Sequence, residues 1–289
     1  MARPLAEDLP PEALRILKQA SRLTSPCGEG DMVWHAWGDG EPLVLLHGGS
    51  GSWAHWIRNV EALAAGGRRV LVPDLPGFGD SERPPGNGDA DGVVPVLAEG
   101  LPYLLGMQAV DIVGFSFGGL CAGLLAAAHP ELVRQLVLVG APGFGLREKR
   151  LTLVAWQHLD DPHARESAHR RNLATLMLHR PESVDALAVA VQAANVPHDR
   201  MRRRKLAMTD VLLRNLPAIE CPVDAIYGEH DALYSGGMLA ELERLLAAAP
   251  RFGRLVLIPE AGHWVQFEAP AAFHAALHQL LDERKPKAT

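Results

Sequence analysis

Cysteine is scarce in this chain, with three in 289 residues. Cys27, Cys121 and Cys221 lie far apart and form no C-x-x-C pair, so the pattern offers neither a disulfide framework nor a zinc-binding motif, and no metal is expected. Such usage fits a reducing, cytoplasmic setting. An excess of positive charge is also missing: 28 Lys and Arg face 34 Asp and Glu, for a net charge of -6 and a pI near 6.1. This argues against a general binder of nucleic acid or anionic membranes. No apolar run approaches membrane-spanning length. The opening stretch from Met1 to Asp8 carries acids where a secretory signal would need an apolar segment, so neither export nor insertion is expected. The partner left by these exclusions is a small molecule, with self-association into a homo-oligomer an open expectation.

What the chain does have is 48% hydrophobic content, enough for a large core. Short apolar runs at 33–36, 42–46, 69–72, 110–113, 136–139, 223–227 and 255–258 alternate with longer helix-like pieces. Several runs are apolar at consecutive positions, as in strands covered on both faces, and the pieces between can serve as crossover helices. The expected class is α/β, with a mostly parallel twisted sheet and helices on both faces. Helices are expected over 11–23, 54–65, 90–106, 118–128, 238–248 and 270–281, the third a poor one because Pro95, Gly100 and Pro102 interrupt it. Residues 146–216 differ in character: rich in Arg, His, Leu and Ala at helical spacing and without a good strand, they read as an inserted helical cap. The expected organisation is an N-terminal segment (1–32), a first core part (33–145), the cap (146–216) and a second core part (217–289).

Ser116 lies in Gly114-Phe115-Ser116-Phe117-Gly118, between the apolar run at 110–113 and a helix. Strand, sharp turn and helix around G-x-S-x-G form a nucleophile elbow that holds a serine hydroxyl clear of the backbone. A serine needs a base, and the base needs an orienting group. His263, in the turn after the last strand, and Asp231, in the loop after the run at 223–227, both fall where an α/β sheet gathers its ligand site, at the carboxyl ends of strands. The chain order Ser116, Asp231, His263 is that of α/β-hydrolases and of neither other common serine arrangement. Glu229, two residues before Asp231, could also orient an imidazole. The loop His47-Gly48-Gly49-Ser50-Gly51-Ser52 follows a strand and exposes backbone N–H groups, so Gly49 and Phe117 are the expected oxyanion donors. His47 reads as a structural member of that loop. Asp74, between Gly77, Gly79 and nearby prolines, reads as part of a tight connection. No organic cofactor is implied.

Together His47-Gly48-Gly49, Asp74-Leu75-Pro76-Gly77-Phe78-Gly79-Asp80-Ser81, the elbow, Gly228-Glu229-His230-Asp231 and Gly262-His263-Trp264 resemble the α/β-hydrolase superfamily over nearly all of residues 33–283. The resemblance implies the same triad and oxyanion hole. Serine at the elbow sets the chain apart from the haloalkane dehalogenases and epoxide hydrolases of this fold, which carry aspartate there. His263-Trp264 with Gln266, the Gly-Ser-Gly loop and the arginine-bearing cap look like the meta-cleavage product hydrolases, which split a carbon–carbon bond in a 2-hydroxy-6-oxo-dienoate after ketonisation. Those enzymes often have Gly-Asn-Ser-Met-Gly at the elbow, whereas this chain has Phe115 and Phe117. A carboxylesterase is therefore a second expectation, and a non-catalytic ligand receptor on the same fold a third. Phe115 and Trp264 are candidate pocket walls. Arg165, Arg170, Arg171 and the run Arg202-Arg203-Arg204-Lys205 either attract an acidic substrate, with Arg170 and Arg171 the chosen candidates, or form a solvated face.

Overall fold

A computed structural model describes residues 3–86, 88–146, 151–201 and 203–283. Eight strands form one sheet: β1 (Ser21–Cys27), β2 (Gly30–Trp37), β3 (Glu41–Leu46), β4 (Arg68–Pro73), β5 (Val110–Phe115), β6 (Val133–Val139), β7 (Val223–Gly228) and β8 (Phe252–Ile258), in the order β1-β2-β4-β3-β5-β6-β7-β8. The first two strands run antiparallel and every pairing from β4 to β8 is parallel. In β3 the four residues Leu43 to Leu46 are wholly buried, yet they alternate: Val44 and Leu46 join one hydrophobic cluster, Leu43 and Leu45 the other. Successive strand side chains point to opposite faces, so a continuous apolar run supplies two cores, each buried side chain contributing about 1.5–3 kcal/mol.

Two expected boundaries move. The helix expected over 11–23 ends at Leu17, and Ser21–Cys27 turns back as β1 along β2, pairing Ser21 with Ala36 and Cys27 with Gly30. Residues 21–27 and 30–32, expected to lie in the N-terminal segment, thus belong to the sheet. The pattern of β1 is weak because this edge strand is exposed at its start. The expected helix at 54–65 is split into a short turn, Trp53–Trp56, and a helix, Val60–Ala65.

The interrupted helix is whole: Ala90–Leu105 runs through both prolines, capped by Asp89, whose carboxylate accepts from the Ala90 amide at 2.8 Å. Packing overrides local preference there, because Val93, Val96, Leu97 and Leu101 are buried on the sheet. Gly100 is needed for the close approach, since a Cβ would meet Ser25 Oγ at 2.7 Å and Met32 Cε at 2.8 Å.

Among the described residues, 146–216 contain helices and turns and no strand, with the longer helices at Pro162–Asn172 and Ala186–Asn195. No helix among the described residues is long and apolar enough to cross a membrane.

Candidate active site

The parallel strands deliver their carboxyl ends to one edge of the sheet. Ser116 follows β5 directly, at φ 51° and ψ -117°, a left-handed conformation that a non-glycine residue adopts at a cost. The turn closes because its glycines leave no room for side chains: a Cβ on Gly114 would stand 2.6 Å from Gly118 O, and one on Gly118 would stand 2.5 Å from His47 O. The Ser116 amide donates to Val139 O at 2.7 Å, fastening the elbow to β6.

Ser116 Oγ lies 2.9 Å from His263 Nε2, and His263 Nδ1 lies 2.8 Å from Asp231 Oδ2. With Nδ1–H donating to the carboxylate, Nε2 is left to accept the serine proton, which is the tautomer nucleophilic catalysis needs. Asp231 and His263 are both buried. The other carboxylate oxygen of Asp231 accepts from the Leu233 amide at 2.9 Å, which fixes its plane. Glu229, the other acid of this loop, is exposed, and its amide bonds to Ile258 O. Gly140, at the end of β6, clears the space: a Cβ there would sit 3.1 Å from the His263 ring and 3.4 Å from Asp231 Oδ2.

Phe117 opens the helix Phe117–Ala128, so its N–H has no acceptor within the helix. Across the cleft, Gly48 donates to His55 Nδ1 at 3.2 Å. The Gly49 amide has no acceptor among the described residues. Two unspent backbone donors therefore flank Ser116, an arrangement that can hold a developing oxyanion. His47 is built into the loop: Nε2 accepts from the Leu75 amide at 2.8 Å and Nδ1 lies 2.7 Å from Gly48 O. Burial pushes His47 below the usual imidazole range and His55 well below it, so both are neutral polar struts. Asp74 is likewise structural, its carboxylate accepting from the amides of Trp53 at 2.9 Å and Asp80 at 3.0 Å.

A cavity of about 310 Å³ opens above Ser116, within the range of small-molecule sites. Gly49, Phe115, Phe117 and His263 line its floor, and Leu153, Asn172, Met177, Gln192, Arg204 and Met208 of the cap form its roof. Three expectations change here. Trp264 is not a wall: it is fully buried, stacks on Phe267 at 4.1 Å and donates its indole N–H to His55 O at 2.8 Å, bracing the oxyanion loop from below. Arg170 points away from the cavity, engaging Glu166 at 2.9 Å and Val184 O at 3.0 Å. Arg171 is exposed and does not line the cavity. The cavity arginine is Arg204, so close to the oxyanion loop that a Cβ on Gly49 would meet its Nε at 2.9 Å. Its Nη1 donates to both oxygens of Asp199 at 3.0 and 2.9 Å, and its Nη2 to Ser50 Oγ at 3.2 Å. Arg202 of the same run lies outside the described residues.

Glu268 escaped the sequence reading altogether. Its buried carboxylate accepts from Gly262 N at 2.7 Å, His179 N at 3.0 Å and Arg180 N at 2.7 Å, joining the turn before His263 to the cap. Trp264 N reinforces this junction by donating to Met177 O at 2.7 Å. Position 268, five residues after the histidine, carries no local signal, because two of its three partners come from a segment almost 90 residues earlier.

Residues 41–177 match the profile of the alpha/beta hydrolase fold. A 2-hydroxymuconate semialdehyde hydrolase of a Pseudomonas species is 33% identical over 260 residues, covering 86% of this chain and 89% of the relative. A second protein of that description, from Pseudomonas putida, is 30% identical over 86% of this chain and 90% of its own length. Among solved structures, a carboxylesterase from Bacillus subtilis superposes with a TM-score of 0.75 at 19% identity, over 96% of this chain and 95% of that one, a likeness of fold. The elbow, the ordered Ser-Asp-His geometry and one-third identity over most of the length agree, and the chain belongs to the α/β-hydrolase family.

Proposed function

We propose that this hydrolase splits a carbon–carbon bond next to a ketone in a 2-hydroxy-6-oxo-dienoate-type acid, using Ser116 as nucleophile. Once the dienol has ketonised, His263 takes the Ser116 proton as Oγ adds to the 6-oxo carbon. The carbon–carbon bond breaks, and the leaving carbon departs as a dienolate and takes that proton. Water deprotonated by His263 then hydrolyses the acyl-serine to a carboxylic acid and free Ser116, while Asp231 holds the imidazolium. Gly49 N–H and Phe117 N–H receive the charge that builds on the carbonyl oxygen; one such donor is worth about 2.7–4 kcal/mol in the transition state. The observation that carries the reading is the composition of the cavity: a Ser-His-Asp line on an apolar floor faced by the polar roof groups Arg204 and Gln192. An elongated acid needs both ends. The descriptions of the relatives point to the same substrate class.

A carboxylesterase is the second reading, favoured by the pairing of Arg204 with Asp199, which neutralises much of the cationic attraction an acid would feel. Steady-state kinetics on a 2-hydroxy-6-oxo-dienoate and on a neutral short-chain ester of similar size separate the two. The carbon–carbon reading requires turnover of the dienoate that Ser116→Ala abolishes, and an Arg204→Gln variant with raised KM for the acid and unchanged KM for the ester. Turnover of esters alone would leave the esterase, and tight binding without turnover would leave a receptor. A small-molecule substrate in a reducing cytoplasm fits three buried free thiols, with Cys27 and Cys221 each raised to about 11 by burial first of all.

A further inference from the structure

On the outer side of the catalytic loops, three side chains converge that the hydrolase chemistry does not use. His179 belongs to the cap, His230 precedes Asp231, and Glu260 lies three residues before His263. Glu260 Oε2 faces His179 Nε2 at 3.8 Å and Oε1 faces His230 Nε2 at 3.7 Å, while the two imidazoles stack at 3.8 Å with 9° between their planes. One ligand atom from each of the three lies within 4.8 Å of the others. We propose that His179, His230 and Glu260 bind a divalent transition metal of the zinc class, which fastens the cap to the loops that carry Asp231 and His263.

The carboxylate–imidazole gaps are too long for hydrogen bonds. They are close to the ligand-to-ligand spacing of a tetrahedral site, about 3.4 Å for arms of 2.0–2.2 Å. Two imidazoles with one carboxylate select zinc, nickel, cobalt or copper over magnesium and calcium, which prefer oxygen shells. Three protein ligands leave a fourth position to water. Turning both lone pairs onto one ion rotates the rings out of their stack, and the exposure of both histidines allows it. The backbones are already fixed: His179 N donates to Glu268, His230 N donates to Ala261 O at 2.9 Å, and Gly262 packs within 2.8 Å of His179 N once a Cβ is placed on it. Glu260 holds φ 53°, a conformation in which glycine or asparagine would be less strained. His179 and His230 therefore sit on braced chain, so capture of an ion has side chains, and little of this backbone, to order.

Calorimetric titration of the full chain with zinc chloride tests the site. One zinc per chain is expected, and His179→Ala, His230→Ala and Glu260→Gln should each weaken binding by more than about tenfold, the scale even of an outer-sphere partner. His263→Ala should retain it, which separates this site from the triad. Far-UV circular dichroism of each metal-free variant guards against misfolding. Zinc should also slow amide exchange over 177–180 in the wild type and not in His179→Ala. Absence of uptake by the wild type, or affinity unchanged when all three residues are replaced, overturns the site; unchanged exchange on saturation overturns the fastening.

Discussion

Replacing Glu268 removes the acceptor on which the cap and the His263 turn both depend. Its side chain has no exposed surface, and its two oxygens take three backbone N–H groups at 2.7, 3.0 and 2.7 Å, with Arg180 Nε 3.7 Å away as countercharge. Hydrogen bonds to a charged group contribute about 1.5–3 kcal/mol each. Glu268→Ala leaves the buried Gly262 amide without a partner, at about 1–3 kcal/mol, and removes the acceptor of the His179 and Arg180 amides, while Arg180 Nη2 keeps its bond to the residue 268 carbonyl. Glu268→Gln keeps one acceptor oxygen but turns an NH₂ toward an amide, for an expected loss of about 1.5–3 kcal/mol. Against a total stability of about 5–15 kcal/mol the glutamine variant stays folded and can be assayed. Urea unfolding monitored by tryptophan fluorescence measures the first effect. Steady-state kinetics measure the second: kcat should fall more than KM rises, because the displaced turn carries the base and the reacting geometry tolerates little error. A Glu268→Ala protein within about 0.5 kcal/mol of wild type, the range of an indifferent surface change, would refute the reasoning.

Further outcomes follow from the same structure. Gly114→Ala places a methyl 2.6 Å from Gly118 O and from Gly119 Cα, so this variant should lose the elbow, with little folded protein recovered and no activity; normal expression with normal kcat would contradict the packing. Stability should fall as pH drops. His47 and His55 titrate lower in the folded protein than at the 6.5 of an unfolded chain, because burial disfavours their charged forms. The unfolded state then binds more protons, so stability is greatest above about pH 6.5 and declines below it, by at most about 1.4 kcal/mol per histidine per pH unit. Equal urea midpoints at pH 7.5 and about 5.5 would exclude this linkage.

Asn172 offers a last test. It bonds both ways to the Val154 backbone, at 2.7 and 2.9 Å, and so holds the irregular stretch from which Leu153 lines the cavity. Asn172→Ala should raise KM with a smaller change in kcat, whereas unchanged kinetics would show that stretch to be indifferent to the latch.

The sequence by itself determined seven of the eight strands, the helices and turns without strand among the described residues of 146–216, and Ser116, Asp231 and His263 as the side chains the fold brings together. These were legible because each rests on local chemistry: runs apolar on both faces, glycines that permit one tight turn, and Ser, Asp and His within five residues of a strand end. Packing decided what local pattern could not. The helix at Ala90–Leu105 survives its prolines because the sheet beneath it rewards burial, and β1 exists because β2 provides its partner. The pocket was misjudged for the same reason. Trp264 turns inward to the His55 carbonyl, Arg170 turns outward to Glu166, and Arg204 comes over Gly49 from a position 155 residues later, held by Asp199 and Ser50. Which face a side chain presents within a cap depends on how that cap lies on the sheet. Only the assembled chain, with Glu268 gripping amides from both parts, determines that.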